Sequence, residues 1–191
     1  MHAMSRHHPF PADGHQVEWA SWTGDGHEST SIVWENEGFT ISGQLSRERA
    51  TYVVRLSATW QVRQFLLFRD LEDPDLWLAT DGGGRWGEMN GAHRPELDGC
   101  YDISLAVTPF TYTLPIRRLP LLVGDAADLP VVSVDIETLG VVSTMHRYNR
   151  LTEQSWQFTN LDTGWSHEFE VDSHGLVVDC PMMFRRTGDR S

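Results

Sequence analysis

Asp98, Asp102, Arg117 and Arg118 fall within one segment, Leu97–Leu119 (LDGCYDISLAVTPFTYTLPIRRL), and are the residues whose types and spacing could do chemistry. Two carboxyls four residues apart share strand parity. Acid–base chemistry on a glycosidic bond needs two such groups facing each other across about 5–9 Å. A guanidinium beside them would meet an anionic head group as a planar, bidentate fork. The same residues admit a structural reading, in which Asp98 stabilises a turn and an arginine pairs with Asp102 to tie the segment down. A net charge of −12 supplies many internal partners and favours that reading.

The aromatic load is the second chemical feature. The chain has eight tryptophans, Trp19, Trp22, Trp34, Trp60, Trp77, Trp86, Trp156 and Trp165. Their faces stack on sugar rings or line acyl pockets, and they also fill cores. Most are expected inside. Trp60, at a break in the strand pattern, Trp86, after the glycine turn, and Tyr148, in His146-Arg147-Tyr148, are the aromatic candidates for a pocket. With Arg117, Arg118 and Asp102 they make up the ligand-binding set read from sequence.

Other chemistries lack their signatures. His146, His167 and His174 have no G-x-S-x-G nucleophile to serve. No CxxC or HExxH spacing supports a zinc site, and Gly82–Gly84 precede a strand rather than a helix, unlike a phosphate-binding loop. The acidic run Asp70–Asp75 lacks the turn glycine of a calcium loop. Neither metal nor cofactor is expected. Cys100 and Cys180 are expected as free, buried thiols. The acidic balance also argues against nucleic acid, whose phosphates are bound by clustered cations.

These residues must be positioned by strands. In Thr51–Trp60 and Gln61–Asp70 the pattern alternates with period two, and it recurs to Cys180 with hairpin-sized gaps such as Asp81-Gly82-Gly83-Gly84. The pattern predicts a long antiparallel meander. A sheet of that length must curl or close, because strands twist and free edges are costly. One short helix is expected at Thr113–Leu119, capped by Thr113 with Pro115 in its first turn. Residues 1–15, rich in His and Pro, read as a flexible N-terminal arm, and 16–187 as a single domain. No apolar run approaches the ~20 residues of a membrane helix. The first residues lack a signal-peptide core, so the expected location is cytoplasmic.

The chain resembles the putative glycolipid-binding family, first grouped as a domain of unknown function. The resemblance is carried by Leu97-Asp98-Gly99-Cys100-Tyr101-Asp102, by the TP-x-T-x-x-LPIRR element from Thr108 to Arg118, by Gly84-Arg85-Trp86 and by the closing stretch Gly175–Arg186. It extends from about Val17 to Arg186. Two positions depart from the family pattern: Tyr112 stands where Asn is usual, and Cys180 where an aromatic is usual. The resemblance implies a mainly β fold, a long antiparallel sheet curled into a spiral β-roll around one short helix, similar to lipoprotein-localisation carriers that hold acyl chains.

The function expected from these features is non-enzymatic binding of a lipid or glycolipid held inside or against the curled sheet. The alternatives are a hydrolase or isomerase of a small polar or sugar substrate using Asp102, Asp98 and Arg117, and a protein-interaction module presenting a sheet edge.

Overall fold

The computed structural model describes residues 7–70 and 72–190. Its alternating segments form a single 14-stranded sheet. Strands β1 (His15–Ser21), β2 (His27–Glu35), β3 (Gly38–Leu45), β4 (Ala50–Ser57), β5 (Val62–Phe68), β6 (Leu76–Thr80) and β7 (Trp86–Glu88) step outward as a meander. A 3-10 turn at Pro95–Leu97 carries the chain to the opposite edge. There β8 (Asp102–Leu105), helix α1 (Phe110–Arg118) and β9 (Ala126–Val134) follow. The chain then returns through β10 (Val141–Arg150), β11 (Ser155–Asn160), β12 (Ser166–Val171), β13 (Val177–Cys180) and β14 (Phe184–Arg190) to pair with β1.

The sheet curls without closing into a barrel. Its edge strands β7 and β8 are drawn together by the link between them. Gly99 N–H donates to the Gly84 carbonyl at 2.8 Å, and Trp86 Nε1 to the Cys100 carbonyl at 2.9 Å. The outer side of β7 is taken by its own loop, through Glu88 N–H to Ala92 O and Arg94 N–H to Trp86 O, both 2.9 Å. That edge is therefore not presented for pairing with a partner strand.

Three sequence expectations are corrected. The sheet is antiparallel except at β8–β9, which pair in parallel from Asp102↔Val131 to Leu105↔Val134. Their crossover is α1, and it needs little room because it runs inside the curl rather than on an outer face. Second, α1 begins at Phe110, not Thr113, and Pro115 lies in its interior. The start is set by Thr108, whose Oγ1 accepts from Phe110 N–H at 3.0 Å. Pro115 forgoes one backbone bond, which burial of every residue from Phe110 to Ile116 offsets. Third, the arm is not loose along its whole length. Residues 1–6, like Leu71 of the acidic loop, lie outside the described residues. From His7 onward the arm is docked: His8 N–H donates to the Ser173 carbonyl at 2.8 Å, and Phe10 stacks on His174 at 4.9 Å. Strand β14 was also unmarked in the sequence, since FRRTGDR lacks apolar alternation.

Alternate faces of α1 serve two cores. Phe110 and Leu114 pack with Val54, Phe65, Leu78 and Trp86, whereas Tyr112 and Ile116 pack with Tyr148, Trp156, Phe158 and Phe169. The two ends of the roll differ. At one end, where β1 starts and α1 stops, the Arg117 guanidinium is sandwiched between Phe10 (4.7 Å) and Trp60 (4.4 Å) and closes the interior. The other end is open, and the β8–α1 connection at Ala106-Val107 lies across it.

Close approach requires glycine at Gly43, among other positions. Gly43 in β3 faces Tyr52 in β4, and a Cβ there would overlap the phenol ring. Gly43→Ala is expected to displace Tyr52 and to cost about 1–3 kcal/mol, the usual range for overpacking, read as a lowered urea midpoint. An unchanged midpoint would show that the ring has room to move.

Candidate functional site

The open end carries a cleft of about 1000 Å³, between the β9–β12 strand ends and the β8–α1 connection. Its position follows from strand direction. The C-terminal ends of β8, β9 and β11 and the N-terminal end of β10 all meet there. In β10, Val142, Thr144 and His146 share the inward parity of Tyr148, so the strand's polar residues are delivered to the cleft rather than to solvent.

One wall is aromatic. Tyr112 from α1 lies 5.3 Å from Phe158, and Phe158 stands edge-on to Trp165 at 6.0 Å and to His146 at 4.7 Å. Trp165 is 48% exposed, so a flat ring is available at the rim. Behind it His167 packs at 4.5 Å with both ring nitrogens buried and unpartnered. The lining also carries polar groups, Ser104, Ser133, Thr144, Asn160, Asp135 and Glu137.

Burial pushes the His146 imidazole down to about 4, and it pushes His167 down equally, so both are neutral at pH 7. His146 Nε2 and Thr144 Oγ1 are 3.0 Å apart, and Thr144 Oγ1 in turn meets Ser133 Oγ, leaving His146 Nδ1 buried without a partner. Asp135 is held below the usual carboxylate range by the Thr138 and Glu137 amides. The two cations of the cleft are already engaged. Arg69 donates to the Ile136 and Glu137 carbonyls and to Asp75, and Arg47 pairs with Glu48 at 3.0 Å and Asp25 at 3.5 Å. The cleft thus offers acceptors and ring faces, with its positive charge already taken up by protein groups.

None of the six residues picked from sequence lines this cleft. Arg117 and Trp60 form the plug at the closed end; Arg117 donates to the His8 and His174 carbonyls and has no carboxylate within ion-pair distance among the described residues. Burial pulls its guanidinium down to about 10. Arg118 and Asp102 form a bidentate pair across the β8–α1 crossover, with Nε 3.1 and 3.2 Å from the two carboxylate oxygens. Trp86 is core. Tyr148 is buried 6.5 Å from Tyr112 and supports the aromatic wall from behind.

The paired-carboxylate chemistry has no geometry here. Asp98 accepts from Trp86 N–H at 3.2 Å and meets His93 Nε2 at 2.8 Å, while Asp102 is taken up by Arg118. Both cysteines are free and buried, and no metal-binding group of three or more His, Cys, Asp or Glu occurs among the described residues. Among those residues no helix is long and apolar enough to cross a membrane.

Sequence reasoning missed Glu28 as well as the cleft. Glu28 in β2 is buried, and its Oε1 receives three hydroxyls, from Tyr52 and Thr108 at 2.7 Å and Thr30 at 2.8 Å, whereas Oε2 has no partner. Burial raises its pKa to about 7. The signal available was parity: Glu28 and Thr30 occupy inward positions of an alternating strand.

Comparison with known proteins adds three findings. A family model described as putative glycolipid-binding matches residues 16–186. The fold is similar to a crystal structure of a DUF1089 family protein from Pseudomonas aeruginosa, with 28% identity, a TM-score of 0.70, and coverage of 93% of this chain and 94% of that one. No curated protein matches.

Proposed function

The chain belongs to the putative glycolipid-binding family, and from that membership we propose that it binds an uncharged glycolipid, seating the sugar in the cleft at the open end of the roll. The observation that carries this reading is the pairing of an aromatic wall, Tyr112, Phe158 and Trp165, with an acceptor-rich floor whose cations are spent. A sugar ring presents an apolar C–H face to stack on indole and a rim of hydroxyls that donate to Asp135, Glu137 and Asn160. A phosphate or sulfate would find no unengaged guanidinium there and would meet two carboxylates. Neutral His146 adds a buried ring nitrogen beside the floor without adding charge.

The test is native mass spectrometry of the protein incubated with a monoglycosyl lipid and, separately, with phosphatidylglycerol of matched chains. The glycosyl lipid is expected to be retained and the anionic lipid lost. Trp165→Ala is expected to weaken retention about five-fold, since stacking on one ring is worth about 1 kcal/mol. Equal retention of phosphatidylglycerol, or an unaltered affinity in the Trp165 variant, would overturn the assignment of this cleft to a neutral sugar.

A further inference from the structure

A second cleft, about 310 Å³, opens at the same end of the roll on the other side of the Ala106-Val107 connection. It lies where β1 and β3 end and β14 begins. Trp19, Trp22, Leu45, Met183 and Phe184 line it, and Met182 stands at its mouth with 79% exposure. Arg47 and Glu48 on its rim are paired with each other, and the Glu28 carboxyl beneath it is turned into its own hydroxyl cluster. The two clefts share four residues, Arg47, Glu48, Ala106 and Val107. They are therefore adjoining compartments divided only by a short turn, and the smaller one gathers Trp19, Trp22, Met182, Met183 and Phe184 at one place.

We infer that the second cleft takes the hydrocarbon tail of the ligand, that the tail crosses at Ala106-Val107, and that it is a single chain of about ten to twelve carbons. The length follows from volume: a cavity of ~150 Å³ accommodates benzene, so twice that space holds about a dozen carbons. The cleft of about 510 Å³ that adjoins the second one through Trp19 and Leu45 is lined chiefly by polar side chains, among them Glu18, Ser29, Gln44 and Arg49, and so does not match a second hydrocarbon chain. The occupant is fixed by continuity with the sugar cleft, by apolar side chains left uncovered at the mouth, and by the size of the space. This inference rests on the sugar reading of the first cleft.

Titration calorimetry with n-alkyl maltosides from hexyl to tetradecyl, each below its micelle concentration, tests it. Affinity is expected to rise two- to four-fold for each added methylene, the upper figure corresponding to full burial at about 0.8 kcal/mol, and to level off between decyl and dodecyl. Ala106→Trp, a change at an exposed turn residue between the clefts, is expected to flatten that rise. Met182→Glu at the mouth is expected to reduce the slope without lowering thermal stability. If no maltoside binds at any chain length, the sugar reading itself fails. Binding that ignores chain length, or a slope that both variants leave intact, would overturn the tail site and leave the sugar cleft standing. A rise that continues through tetradecyl would overturn the single medium-length chain.

Discussion

Asp102→Ala is expected to lower the unfolding free energy by about 3–5 kcal/mol, the range for removing one partner of a buried ion pair. Asp102 begins β8 and its side chain is 1% exposed, while that of Arg118, the last residue of α1, is 16% exposed. The guanidinium meets both carboxylate oxygens and lies 5.6 Å from the Tyr101 ring, so its position is over-determined. The pair closes the one parallel connection of the sheet, joining the start of the edge strand to the end of the helix it feeds. Without the carboxylate, Arg118 is left poorly solvated and β8 loses its tie to α1. Burial pushes the Asp102 carboxyl above the usual carboxylate range even against the pull of Arg118, so desolvation is the larger influence. Replacing both residues together, as Asp102→Leu with Arg118→Met, is therefore expected to recover most of the loss. Urea midpoints at constant m-value read both effects. A loss below ~1 kcal/mol for Asp102→Ala would place the pair with exposed salt bridges, whose contribution is small.

That pair also marks how far the sequence could be read. Strands were legible because period-two alternation is a local signal, and Asp81-Gly82-Gly83-Gly84 announced its hairpin. The parallel β8–β9 pair was not legible, since pairing direction depends on where the chain re-enters the sheet after Leu97. The helix start was misplaced because Thr113 and Thr108 both offer a capping hydroxyl; only the tertiary surroundings select Thr108, whose side chain is also engaged by Glu28. The residues picked for ligand binding lie apart from the cleft for a related reason. Arg117, Trp60 and Asp102 were conspicuous by type, but residue type does not reveal at which end of a roll a residue sits. Trp60 and Arg117 fall at the end that the arm closes. His146 and Phe158 look like ordinary strand residues, and they line the cleft because strand ends from β8 to β11 converge. Trp165 was counted among the tryptophans but had no spacing to single it out.

Glu28→Gln is expected to change how stability depends on pH, by about 3 kcal/mol across the neutral range. An sp² oxygen has two lone pairs, yet Glu28 Oε1 is approached by three hydroxyls and Oε2 by none. A protonated carboxyl resolves the excess, because Oε1–H donates to one hydroxyl and accepts from the others. Its pKa is raised from 4.5 to about 7, chiefly by burial. Between those values the folded chain holds a proton that the unfolded chain has released. Stability must then fall as pH rises through that window, by about 1.4 kcal/mol per unit of the difference. Glutamine stays neutral, so the stability of the variant relative to the parent should climb from pH ~4.5 to pH ~8 by about 3 kcal/mol. Any constant cost of placing an amide there drops out of that difference. The facing groups are accounted for: Glu48 adds to the upward shift, Tyr52 titrates well above this range, and Thr30 and Thr108 carry no charge. His146 and His167, held down to about 4, act with the opposite sign between about 4 and 6.5, but they are common to both proteins and cancel. Parallel pH curves for the two proteins would mean that Glu28 is ionised in the fold at an ordinary acidity. Thr108 joins Glu28 to the first amide of α1 and lies one residue beyond the Ala106-Val107 turn. Glu28 is thus tied through one hydroxyl to the residue that follows the turn dividing the two clefts.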